Sequence, residues 1–156
     1  MSRFVIVDAA AYDDTPRALH YYTRDLPRRS LFERQPEAKL ADKGPWLVQL
    51  PDHPHTQVDG WLRALELEKP VVAWLTSNAD FEHLFDHLER CLDLRRPNGK
   101  LALLRYWDGR VFLRLQRAFT PDQRRQLMGP IDQWRFRILG QPYTLDRANL
   151  EGKEAA

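Results

Sequence analysis

Lys100-Leu101-Ala102-Leu103-Leu104-Arg105-Tyr106-Trp107-Asp108-Gly109-Arg110-Val111-Phe112 reads as a buried strand that runs through a tight turn into a helix. Its apolar part holds no proline or glycine and is bounded by Gly99 and Gly109, the pattern of a strand covered on both faces. The strand ends in Arg105, Tyr106, Trp107 and Asp108, an arginine and an aspartate flanking two aromatics. No nucleophile, glycine-rich phosphate loop or metal set lies beside them in the sequence, so the group suggests a structural ion pair or a binding surface.

Further strands are predicted at Phe4-Val5-Ile6-Val7 before Asp8, at Ser30-Leu31-Phe32, at Trp46–Leu50 and at Val71–Thr76. Trp134-Arg135-Phe136-Arg137-Ile138 alternates apolar with basic, as a strand with one wet face does. Helices are predicted from Pro16 to Tyr22 with Thr15 as cap, and from Pro36 to Lys43, stopped by Gly44-Pro45. Thr56 with Asp59 forms a capping box ahead of the apolar face Val58, Trp61, Leu62 and Leu65. Ser77 with Asp80 forms another ahead of Phe81, Leu84, Phe85, Leu88 and Leu92. Val111 to Phe119 is helical, and Thr120, Pro121 and Gln123 open a last helix that Gly129-Pro130 ends. Strands alternating with helices imply an α/β domain with a central, largely parallel or mixed sheet flanked by helices, plus a short C-terminal appendage of helix and strand. The expected divisions are a core over 1–119, a C-terminal helix and strands packed on it over 120–146, and a frayed tail over 147–156.

A chain of 156 residues, 43% hydrophobic and 29% charged, fits one soluble domain that needs no disulfide. Cys91 stands alone, which excludes an intramolecular disulfide and any zinc site built on two cysteines of one chain. The N-terminal apolar run is too short for a signal peptide, and no segment nears the roughly 20 apolar residues of a membrane span. A cytoplasmic setting is expected. The net charge of +2 hides an asymmetry: residues 95–137 carry eleven Arg or Lys against three acids, and the rest of the chain is correspondingly acidic. That points to an acidic partner, to nucleic acid, or to attraction between the two halves.

His83 and His87 lie at metal-ligand spacing on a helix, but no third ligand accompanies them, and both are expected as ordinary histidines off the apolar stripe. His53 and His55 are expected as loop residues. Asp8, Asp80 and Asp108 each follow a predicted strand, the edge where α/β sheets bind ligands, and three carboxylates there would make a Mg²⁺-dependent nuclease. Against this, Asp80 serves a helix start and Asp108 can pair with Arg105 or Arg110. Arg110, Arg114 and Arg117 form one basic helical stripe without interleaved base-stacking aromatics, which favours a solvated face, or a docking face for an acidic protein, over nucleic acid. Cys91 and the rings of Trp46, Trp61 and Trp74 are expected to pack in the core.

The order of segments resembles the type VI secretion effector chaperones, the Tap/Tec adaptors, whose shared domain was first catalogued as one of unknown function. The resemblance runs through Val5-Ile6-Val7-Asp8-Ala9, Leu31-Phe32-Glu33, Gly44-Pro45-Trp46-Leu47-Val48-Gln49-Leu50, Thr76-Ser77, His87-Leu88, Leu104–Val111, Met128-Gly129-Pro130-Ile131 and Trp134. Its most specific element is Arg105-Tyr106-Trp107-Asp108-Gly109-Arg110; the family reads Asp-Pro-Arg where this chain has Asp-Gly-Arg, from which a looser turn is expected. The resemblance implies a non-enzymatic bacterial adaptor, without cofactor or metal, that binds a toxic effector and helps load it onto the VgrG spike. It implies a structural motif of Arg105, Tyr106, Trp107, Asp108, Arg110 and His87. For partner binding, the basic half suggests Arg114, Arg117, Arg124 and Arg125 at the rim, with Trp107 and Trp134 as apolar anchors and core packing as their competing role.

Overall fold

Phe4, Val5, Ile6 and Val7 are all buried, in a strand with no wet face. They belong to β1 (Ser2–Asp8), which lies inside a six-stranded sheet with β2 (Arg28–Ser30), β3 (Pro45–Leu50), β4 (Val72–Ser77), β7 (Ile131–Ile138) and β8 (Gln141–Asp146), in the order β2-β3-β1-β4-β7-β8. The computed structural model describes residues 1–147; apart from Arg147, the tail expected to fray lies outside them. Alternate β1 side chains serve two cores. Phe4 and Ile6 face a core built with α3 (Phe81–Arg90), α4 (Gly109–Ala118) and α5 (Pro121–Met128). Val5 and Val7 face one built with α1 (Thr15–Tyr22) and α2 (Thr56–Glu68). Burying these four side chains contributes roughly 6–12 kcal/mol, at about 1.5–3 each.

The α/β class holds, with helices on both faces, but the sheet is antiparallel where a largely parallel or mixed one was expected. Every hydrogen-bonded pair is antiparallel. β3 and β4 both run against β1, so β3-α2-β4 is a parallel crossover whose two strands are held apart by β1. Continuous apolar runs and a strand–helix–strand order follow from that arrangement as well as from a parallel sheet. The segment expected as an appendage supplies β7, paired with β4, and β8, paired with β7.

The stretch at 100–112 also differs from expectation. Only Leu101–Leu103 is strand, β6, in a hairpin with β5 (Asp93–Arg95) outside the main sheet, and Leu101 is 58% exposed. A turn through Gly99, at φ +82°, closes the hairpin. Three helix starts use other partners than the sequence suggests. Thr15 accepts from the Tyr12 N–H at 3.0 Å and does not cap α1. His55 caps α2 through Nδ1, while Asp59 accepts from the His55 N–H at 2.8 Å. Asp80 alone caps α3, and the Ser77 hydroxyl donates to the Pro130 carbonyl at 2.6 Å. The Thr120–Gln123 box on α5 is complete.

Candidate functional site

Between β6 and α4 the chain sends Tyr106 and Trp107 inward. The Tyr106 hydroxyl donates to the Leu88 carbonyl at 2.7 Å, and full burial pushes its pKa well above the usual tyrosine value. Trp107 meets Phe32 and Tyr106 edge-on, at 5.7 and 5.4 Å between ring centres. Trp134 on β7 stacks on Phe112 at 4.6 Å and meets Tyr106 edge-on. Trp107 is 2% exposed and Trp134 0%, so neither is a surface anchor: the aromatic set joins α3, α4 and the sheet. Neither indole N–H meets an acceptor among the described residues. An orphan donor costs about 1–3 kcal/mol, less than the roughly 4–6 kcal/mol that burying 150–250 Å² of ring supplies.

Asp108 fixes the turn. Its Oδ1 accepts from the Arg110 backbone N–H at 2.9 Å, capping α4, and its carboxylate takes the Arg110 guanidinium in two bonds, Nε to Oδ1 at 3.2 Å and Nη2 to Oδ2 at 3.0 Å. Burial raises the carboxyl pKa, but the bonds from Arg110 outweigh it and hold it below the ordinary aspartate value. Arg105 turns the other way, 3.9 Å from Asp8, with its guanidinium over the Trp107 ring. The Asp-Gly-Arg turn is not loose. The Gly109 N–H donates to the Pro70 carbonyl at 3.0 Å, a bond proline could not make, and a Cβ at Gly109 would lie 2.7 Å from the Phe136 ring.

His87 is not an ordinary flank histidine. It is buried, and its Nε2 donates to the Leu127 carbonyl at 2.7 Å, because the end of α5 folds over that side of α3. Burial lowers its pKa. His83, four residues earlier, is exposed. Cys91 is a half-buried thiol, pushed up to about 11 by burial.

The three carboxylates do not converge. Asp8 ends β1 and lies beside Val71, whereas Asp80 follows the far end of β4, where Ser77 pairs with Ser2; about six residues of strand, roughly 20 Å, lie between. Asp108 sits at the Asp8 end, through the Gly109–Pro70 bond, and is taken by Arg110. No group of three metal-ligating side chains occurs among the described residues.

The basic residues divide into two kinds. Arg114 and Arg117 are exposed on α4, with no ion pair among the described residues. Arg124 instead donates to the Gln116 and Phe119 carbonyls at 3.0 and 3.2 Å, tying α5 to α4, and Arg125 pairs with Asp122. Arg124 is therefore a link between the two helices rather than an open contact, whereas Arg125 is exposed and its pair lies within α5.

The sequence did not reveal a groove of about 440 Å³ between α2 and the β4-β7-β8 part of the sheet. Arg135 and Arg137 line it from β7, beside Trp74 of β4, and Arg63 and Leu67 line it from α2. The alternating wet face of β7 was the available signal, since Arg135 and Arg137 stay exposed on it.

The family model of a domain of unknown function, DUF4123, matches residues 3–126. This chain belongs to the DUF4123 family. No curated protein and no solved structure matches it. The DUF4123 match takes in β1 through β6, the Arg105–Arg110 turn and most of α5, so the two strands that bound the groove on one side lie beyond it.

Proposed function

We propose that this DUF4123 protein is a non-enzymatic adaptor of the bacterial cytoplasm, which binds a type VI secretion effector and helps load it onto the VgrG spike. The observation that carries this reading is the family match over residues 3–126, which spans the ordered motifs resembling the Tap/Tec adaptors from Val5 to Val111. The motif's architecture supports it: Tyr106, Trp107 and Asp108 are committed to packing and to the α4 cap, as in a scaffold that presents surfaces. No helix among the described residues is long and apolar enough to cross a membrane.

The test is a pull-down with the tagged full chain from a bacterium with an active type VI system. A toxin and a VgrG protein should be recovered. Recovery of neither, with the tagged protein folded and expressed, overturns the reading. Purified protein incubated with labelled DNA and RNA plus Mg²⁺ or Mn²⁺ should leave both intact.

A further inference from the structure

The second face of the sheet is covered only in part. α1 and α2 bury Val5, Val7, Val48 and Val72, but the same face of β7 and β8 carries Arg135 opposite Thr144 and Arg137 opposite Pro142. Trp74 stands opposite Arg135 on β4 and continues that row toward α2. Its indole N–H donates to Glu66 Oε1 at 3.0 Å, which fixes the ring as a half-buried wall. Across the gap Leu67 is 67% exposed, the largest exposed aliphatic side chain on α2. The groove therefore combines apolar walls with guanidinium groups.

Its charges are balanced only in part from within, with Arg3, Arg63, Arg135 and Arg137 set against Asp59 and Glu66. Asp59 is taken by Arg3, and Glu66 is held by Trp74. Arg63, Arg135 and Arg137 line the same groove with no carboxylate at ion-pair distance among the described residues, although Glu66 lies in the field of all three and Arg137 also donates to the Gly140 carbonyl at 3.2 Å. Three guanidinium forks around an apolar patch suit carboxylates, which they can take in paired bonds. A volume of about 440 Å³ seats a few side chains and not a domain. Single-stranded nucleic acid fits less well: it needs successive aromatic faces for its bases, and of the rings at the groove Tyr143 is already stacked on Phe136, which leaves Trp74.

We propose that this groove seats an acidic segment of a polypeptide partner, its carboxylates on Arg63, Arg135 and Arg137 and an apolar side chain between Leu67 and Trp74. The inference rests on the partner-binding reading above in taking a polypeptide as the occupant.

The test selects random twelve-residue peptides displayed on phage against the full chain, then measures binding of the labelled winners to the chain and its variants. The winners should be rich in Asp and Glu and carry at least one large apolar residue. Affinity should fall tenfold or more in Arg135→Glu/Arg137→Glu, and likewise in Arg63→Glu, which sits on an exposed helix face and guards against a strand variant that misfolds. Winners without acidic enrichment, equal binding by the variants, or a single-stranded twelve-nucleotide DNA that binds the groove more tightly than the peptides would each overturn it. The pull-down separates the two readings. If the Arg135→Glu/Arg137→Glu chain still recovers effector and spike, the groove falls and the adaptor stands. If the peptides bind as expected while the native chain recovers neither, the adaptor falls and the groove stands.

Discussion

The imidazole of His87 lies flat against Gly129, so close that a Cβ at position 129 would sit 2.6 Å from its Nδ1. Gly129 is also at φ +48°, ending α5 where a side chain would be strained. Gly129→Ala therefore meets both a clash and a backbone penalty, with an expected cost of about 2–3 kcal/mol. For a domain of this size that lowers Tm by about 4–12 °C. An unchanged melting curve would mean that α5 can lift from α3 at little cost.

Acidification should weaken the same contact. Burial holds the folded His87 pKa below its ordinary value of 6.5, so the unfolded chain takes up the proton first. The contribution is complete above about pH 6.5 and is lost as pH falls through the folded pKa. Tm should decline from pH 7 toward pH 5, and His87→Gln, which offers an uncharged N–H for Leu127, should flatten that decline. A slope identical in the two proteins would assign it to other groups.

At Asp108 two effects can be separated. Asp108→Ala removes the α4 cap and the Arg110 pair together, for about 1–2 kcal/mol, a figure kept small because the Arg110 side chain is largely exposed. Asp108→Asn keeps a capping oxygen and should cost less than half as much. Its native pKa lies below 3.8, so the pair contributes above that pH and is lost as pH falls through the lowered value. Equal losses in the two variants, measured by denaturant unfolding, would assign the whole effect to charge.

Arg114 and Arg117 are exposed on α4 and make no ion pair among the described residues. Arg114→Glu/Arg117→Glu should leave Tm unchanged, slow association with the captured partner and flatten its salt dependence, with little change in dissociation. Trp107→Ala should instead lower stability by about 3–5 kcal/mol, since the ring is core. Stopped-flow or surface-based kinetics on the recovered partner distinguishes these outcomes.

The elements of this fold were legible where their signals are local. Thr120, Pro121 and Gln123 announce α5, and both hydrogen bonds of the box are present, at 2.9 and 3.2 Å. Asp108 was legible for the same reason, its partner being two residues away. What was hidden depends on distant chain. His87 is buried by a carbonyl 40 positions on, which no helical wheel of α3 contains. Trp107 and Trp134 carry surface-anchor chemistry, and only the stacking of α4 on β7 assigns them to the interior. Strand direction was hidden because a helix crossover looks the same whether or not a third strand is threaded between its ends. The groove belongs to this class too, since its walls come from α2 and from strands some 70 residues later.

The first strand of the chain stands in the middle of the sheet. During synthesis it leaves the ribosome before either neighbour exists, because β3 ends at Leu50 and β4 at Ser77. At about 5–20 residues per second, roughly 4–15 s pass before both flanks can close. Through that interval Phe4-Val5-Ile6-Val7 is an unpaired apolar strand, open along both edges to another chain. A nascent chain of this architecture thus carries an open central strand until residue 77 has emerged.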